Sequence, residues 1–238
     1  MPFPPEAADR APVVLLHGCG GAVRSTFEAT GLMEALRRAG CTPLAVELPG
    51  HGRGFCSKDP AAYADLAGLI EPRLPAGRFD AIGYSLGGKL LLELALRHPD
   101  RIGRMVLGGV GDNIFAPEGV AEAAARALEC GPTAQTPPPV LAFLNTWEPD
   151  QNDVLAVAAV LRRPANPVFT EARLAGVMAE VLLINGDADP AAADSRRLRS
   201  ACRGARLVSL AGVGHFDLPR HPGFIRAALG FLAPPRAS

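Results

Sequence analysis

Six short apolar runs, at 13–16, 43–48, 79–83, 104–108, 181–185 and 207–210, alternate along this chain with longer amphipathic stretches. A strand covered by helices on both faces reads as an unbroken apolar run, and two parallel strands need a long crossover between them. The alternation therefore restricts the chain to an α/β fold, a mostly parallel sheet wrapped by helices. Helical patterns fall at 27–39, 61–70, 86–97, 191–201 and 224–231, several of them closed by Gly or followed by Pro, as helix ends usually are. A chain of 238 residues holds one such domain with a sizeable core.

The alternation breaks between 112 and 173, where Ala and Pro become frequent. Stretches 121–128 and 154–161 look helical there, and Pro137-Pro138-Pro139 predicts an extended linker between them. The only tryptophan, Trp147, lies in this segment close to Phe143 and Leu144. Ligand sites in open parallel sheets lie beyond the carboxyl ends of the strands, where insertions gather. The expected organisation is a core of residues 1–111 and 174–238 with a helical cap at 112–173. A helical decoration packed away from any site is the alternative.

Twenty-four basic and 24 acidic residues cancel, so no whole-molecule field draws nucleic acid or an anionic membrane to the chain. The stretch before Val13 is rich in proline and lacks the apolar run of a signal peptide, and no segment approaches a membrane span. Cys19, Cys41, Cys56, Cys130 and Cys202 are odd in number and never spaced C-x-x-C, against both a disulfide framework and a zinc site. A cytoplasmic protein is expected, with no metal.

The sharpest local signal is Gly83-Tyr84-Ser85-Leu86-Gly87-Gly88, which ends an apolar strand and opens an apolar helix. A serine thrown out on so tight a turn takes a strained backbone, and side chains on its neighbours would collide. Gly83 and Gly87 supply the room. Ser85 then sits at a helix N-terminus, which favours developing negative charge, although an ordinary N-cap serine would occupy the same place. Upstream, His17-Gly18-Cys19-Gly20-Gly21 follows the first strand, and so glycine-rich a loop lets backbone N–H groups converge on an anion. A dinucleotide-binding turn fits poorly, because Val23 stands where the third glycine is needed and Glu47 comes too late for the ribose.

Strand 181–185 runs into Gly186-Asp187-Ala188-Asp189-Pro190, a turn with two carboxylates but too few oxygens at fixed steps to hold calcium. The last strand leads to Ala211-Gly212-Val213-Gly214-His215, where a histidine on a glycine-flanked loop can swing its ring toward a site. Four other histidines compete as a base. His98 and His221 precede prolines at helix boundaries, His51 suits a loop-holding role, and His17 suits bracing the glycine-rich turn.

With these pieces in order, the chain resembles the α/β-hydrolase superfamily over essentially its whole length, in particular its small capped esterases and C–C hydrolases. The resemblance implies Ser85 as nucleophile and His215 as base. The acid is drawn from Asp187, Asp189 and Asp112; the family's G-x-x-D spacing after Gly186, with Pro190 behind, selects Asp189. It further implies the N–H groups of Cys19 and Leu86 as the oxyanion hole. Gly18, Gly20, Tyr84, Phe115, Phe143, Leu144 and Trp147 are the expected substrate-binding residues. Only twelve residues precede Val13, so the family's two N-terminal strands are expected to be absent or vestigial, leaving about six parallel strands. Glu47 stands where an aspartate is commoner, and Gly54 where relatives carry serine. The implied activity is hydrolysis of a small-molecule acyl ester through an acyl-enzyme, with no cofactor. C–C bond hydrolysis, thioester hydrolysis and cofactor-free perhydrolysis use the same three groups, and a hydrolase-like receptor with little turnover is a further alternative.

Overall fold

The computed structural model describes residues 11–116, 119–164, 169–192 and 194–232. The proline-rich residues 1–10 and parts of the expected cap, 117–118 and 165–168, lie outside them.

Six strands, β1 (Val13–Leu16), β2 (Pro43–Val46), β3 (Phe79–Tyr84), β4 (Ile102–Gly108), β5 (Glu180–Gly186) and β6 (Arg206–Leu210), form one sheet in the order β2-β1-β3-β4-β5-β6. Every pairing is parallel. Period-two alternation sends Val14 and Leu16 of β1 to one face and Val13 and Leu15 to the other, and all four are buried. That is why the strand is apolar throughout. The first face is covered by α2 (Leu66–Ile70), α3 (Leu86–Arg97) and α8 (Arg196–Ala201), the second by α1 (Leu32–Arg38) and α9 (Pro222–Leu232).

From β1 the chain leaves toward β2, whereas β3 returns on β1's other side. The loops after β1 and β3 therefore part at a topological switch point, the usual crevice of an open parallel sheet. An ion pair fastens the opposite, N-terminal end of the strands. Asp80 on β3 accepts from the Arg104 backbone N–H and guanidinium at 2.7–3.0 Å, and Arg104 also donates to the Phe231 carbonyl of α9.

Between β4 and β5 lie α4 (Ala121–Cys130), α5 (Pro138–Leu144), α6 (Val154–Leu161) and the short α7 (Glu171–Leu174). Asp153 caps α6, accepting from the Leu155 and Ala156 N–H groups. The Pro137-Pro138-Pro139 run corrects the expectation of an extended linker: Pro137 is the N-cap of α5, and the next two prolines form its first turn. A first turn has no use for those N–H groups, and the fixed φ of proline already suits a helix. The stretch 27–39 also divides. Gly31 at φ 78° ends one turn and opens α1 at Leu32, so the apolar pattern extends further than the helix does.

Candidate active site

Ser85 joins β3 to α3 with φ 51° and ψ −114°, the one non-glycine residue at positive φ among the described residues. Such a conformation costs on the order of 1–3 kcal/mol and persists only where the surroundings over-determine it. Here its N–H donates to the Gly108 carbonyl at 2.8 Å, and the glycines two residues to either side admit no side chain. A Cβ on Gly83 would stand 2.6 Å from the Gly87 carbonyl, and one on Gly87 would overlap the Leu16 carbonyl of β1. Ser85 occupies the N-cap position, yet its hydroxyl makes no capping bond to α3. The hydroxyl lies instead 3.1 Å from His215 Nε2.

The other ring nitrogen of His215, Nδ1, is 2.6 Å from Asp189 Oδ2. Asp189 is wholly buried, and its second oxygen accepts the Ala191 N–H at 2.8 Å. Its carboxylate can only accept, so Nδ1 carries the proton and Nε2 is left to accept from the Ser85 hydroxyl. A hydroxyl so placed can pass its proton to the ring as it attacks, while the carboxylate stabilises the resulting imidazolium. The Tyr84 hydroxyl donates to the His215 carbonyl at 2.8 Å and holds the loop's backbone. The two other aspartates face elsewhere. Asp187 accepts the Gly212 N–H at 2.6 Å and braces the paired turns, and Asp112 accepts from the N–H groups of Arg197 and Leu198 at the start of α8.

The loop after β1 approaches Ser85 closely, for a Cβ on Gly18 would lie 3.3 Å from the serine Cβ and 2.9 Å from the Tyr84 ring. The N–H groups of Cys19 and Leu86 have no hydrogen-bond partner among the described residues. Burial pushes the Cys19 thiol up to about 11, which keeps it a neutral thiol rather than a thiolate. Among the remaining histidines, His17 and His51 are buried against this loop with rings 5.3 Å apart, while His98 ends α3 and His221 Nδ1 accepts the Gly223 N–H at the start of α9. Burial, reinforced by His17, lowers His51 to about 3, so its ring stays neutral.

Above Ser85 and His215 opens a cavity of about 240 Å³. Gly18, Cys19, Gly20 and Tyr84 line its floor, and Val120, Ala124, Pro139, Val140, Phe143 and Leu161 its far wall. Three expected substrate-binding residues do not reach it. Phe115 packs at the core's edge with the Arg197 guanidinium 4.2 Å over its ring, Leu144 packs into the small cluster between α4, α5 and α6, and Trp147 lies beside Phe143 with ring centroids 6.4 Å apart. Large apolar side chains drew attention in the sequence, whereas much of the wall is built of small ones. Val120 with Ala124, and Pro139 with Phe143, are four residues apart on their helices, and this spacing was the available signal. Phe216, Pro219 and Arg220, just past His215, also line the cavity and carried no motif. No cluster of three metal-ligating side chains and no helix long and apolar enough to cross a membrane occurs among the described residues.

The model of the Alpha/beta hydrolase family matches residues 13–228. A 2-hydroxy-6-oxo-6-phenylhexa-2,4-dienoate hydrolase of Comamonas testosteroni is 29% identical over 123 residues, covering 47% of this chain and 42% of that protein. A pimeloyl-[acyl-carrier protein] methyl ester esterase of Aromatoleum aromaticum is 40% identical over 103 residues, covering 42% of this chain and 38% of that protein. The chain thus spans less than half the length of the curated relatives it matches. Among solved structures, the enol-lactonase from Burkholderia xenovorans LB400 superposes with a TM-score of 0.73 at 25% identity, over 95% of this chain and 93% of that one.

Proposed function

We propose that this chain, which belongs to the alpha/beta hydrolase family, is a serine hydrolase that cleaves a compact acyl ester through an acyl-enzyme intermediate. The observation that carries this reading is the continuous line from Ser85 Oγ through the His215 ring to the buried Asp189 carboxylate, lying under the cavity. Ser85 Oγ attacks the carbonyl carbon as His215 Nε2 takes its proton. The tetrahedral oxyanion accepts hydrogen bonds from the Cys19 and Leu86 N–H groups, one such donor being worth roughly 3 kcal/mol. As the intermediate collapses, His215 returns the proton to the leaving alkoxide and the acyl group stays on Ser85. Water then repeats the cycle and releases the acid. Neither metal nor organic cofactor enters any step.

The segment 112–173 serves in this reading as the cap, since α4 and α5 supply the wall that an acyl chain would meet. Its apolar lining and the cavity's modest size favour a short chain. The same three groups would also support cleavage of a C–C bond, the chemistry that the Comamonas relative's name suggests.

Labelling with a fluorophosphonate probe, followed by turnover of p-nitrophenyl esters from acetate to decanoate, tests the reading. A thioester and a vinylogous 1,5-diketone should be assayed alongside. The expected result is labelling that Ser85→Ala abolishes, with turnover greatest at the short end of the series. Labelling without turnover of any substrate would make the protein a receptor and overturn the hydrolase reading; preference for the diketone over every ester would shift it to C–C hydrolysis.

A further inference from the structure

The loop after β1 has to hold one N–H at the right angle beside Ser85, and it is made of residues with the least conformational restraint. Three side chains supply that restraint, one for each successive peptide plane. His17 Nδ1 lies 2.8 Å from the Gly18 carbonyl oxygen, which shares its plane with the Cys19 N–H. His51 Nε2 accepts the Gly20 N–H at 2.9 Å and so holds the next plane. Asn152 Nδ2 donates to the Gly20 carbonyl at 3.1 Å and holds the third.

The two histidines act from the core. His51, neutral and protonated on Nδ1, donates to the Pro49 carbonyl, and His17 Nε2 lies 3.1 Å from both the Leu48 amide nitrogen and the Glu47 carboxylate. Asn152 differs from them in origin. It belongs to the segment inserted between β4 and β5, stands just before α6, and is buried, 7% exposed. Its amide oxygen also accepts the Gly52 N–H at 3.2 Å. One side chain of the insertion therefore bridges the loops after β1 and β2, with both ends of its amide in use. Gly20 meets the insertion a second time. It sits at φ 75°, and a Cβ there would overlap the Phe143 ring of α5.

We propose that Asn152 is a positioning residue of the oxyanion hole, through which the inserted helices orient the Cys19 N–H. The proposal rests on the reading of Ser85 as nucleophile and of the Cys19 N–H as an oxyanion donor. Asn152 touches no reacting atom. Without it the Gly20–Gly21 plane keeps only the 3.2 Å bond from the Gly21 N–H to the Gly18 carbonyl, so the glycine-rich loop rotates more readily and the Cys19 N–H spends less time aimed at the developing charge. The loss would fall on the transition state, where the negative charge exists, and hardly at all on the bound ester.

Asn152→Asp and Asn152→Ala test this in the full chain, with a short p-nitrophenyl ester as substrate and a trifluoromethyl ketone as tetrahedral-adduct inhibitor. Aspartate keeps the shape and the acceptor for the Gly52 N–H, but turns a carboxylate oxygen toward the Gly20 carbonyl, so it separates orientation from simple filling of space. For both variants the expected result is a fall in kcat of about tenfold or more with KM within twofold, and a matching loss of affinity for the ketone, because removing an oxyanion donor outright costs about 10²–10³ in kcat. A purely structural tether would lower thermal stability and leave the ratio of ketone affinity to KM unchanged. That result, or a rise in KM alone, would overturn the proposal. Ser85→Ala is run in parallel: if it keeps wild-type turnover, the nucleophile assignment has failed, and this is distinct from an active enzyme indifferent to residue 152.

Discussion

The turn that carries Ser85 and the helices that roof it are held by different kinds of interaction. The turn is fixed by backbone against backbone: Ser85 N–H to the Gly108 carbonyl, Gly87 N–H to the His17 carbonyl, and glycines so crowded that no side chain fits. The roof is held by side chains. Ala124 and Ala127 of α4 pack with Val140 of α5 and Leu161 of α6, and Arg162 reaches from the end of α6 to Glu122 and Glu129 of α4 at 2.6–2.8 Å. Backbone constraints tolerate almost no substitution, whereas side-chain contacts can be exchanged one at a time. On the proposed function, chemistry is fastened to the first region and selectivity is left to the second.

The sharpest way to break this contrast is at the proposed acid. Asp189→Asn is expected to lower turnover by about 10⁴, because the wrong imidazole tautomer then faces Ser85. Asp187→Asn and Asp112→Asn, whose carboxylates serve turns and a helix start, are expected to lose less than tenfold. Steady-state kinetics on one ester checks all three, and a damaging Asp112→Asn would move the acid to the end of β4.

A second difference is set by pH. His51 is lowered to about 3 by burial next to His17, against about 6.5 in an unfolded chain. Between those values the unfolded state binds a proton that the folded state refuses, so stability falls as pH drops through 6.5. By pH 4 the loss reaches on the order of 3 kcal/mol. Denaturant midpoints of wild type and His51→Gln, measured from pH 7 to pH 4, should converge on acidification. Curves that stay parallel would remove His51 from the account.

Changes in the roof should be smaller and of another kind. Phe143→Ala opens the wall beside Gly20 and is expected to raise kcat/KM for longer acyl chains relative to acetate by about tenfold, the discrimination that a few methylenes supply in an apolar pocket. Selectivity unchanged across the ester series would place the acyl chain elsewhere. Smallest of all, Arg162→Ala removes two partly exposed ion pairs, to Glu122 and Glu129, and should lower the melting temperature by about 2–4 °C at most.

Legibility in the sequence divides along the same line. The runs at 13–16 and 79–83 could be read as strands because both sheet faces are covered, and the turn at Ser85 could be read because backbone crowding demands glycine at fixed steps. The roof obeys looser rules. The run Pro137-Pro138-Pro139 reads as an extended linker, whereas the apolar stretch from Val140 to Leu144 behind it completes a helix whose first turn holds Pro138 and Pro139. Phe115 and Trp147 are as apolar as Phe143, but only the arrangement of α4, α5 and α6 determines which of them faces the cavity. Asn152 carried no motif at all, since its partners, Gly20 and Gly52, lie a hundred residues or more before it.

Those long separations also bear on how the site comes into being. Ser85 and His215 are 130 residues apart along the chain, and the inserted helices lie between them. During synthesis β1, β2 and β3 emerge well before His215, the imidazole that lies against the Ser85 hydroxyl. Synthesis proceeds from the N-terminal side at about 5–20 residues per second. On the proposed reading, the nascent chain therefore spends several seconds or more with Ser85 synthesised and its proposed base absent, and the hydroxyl becomes a nucleophile only once the His215 loop has joined the fold.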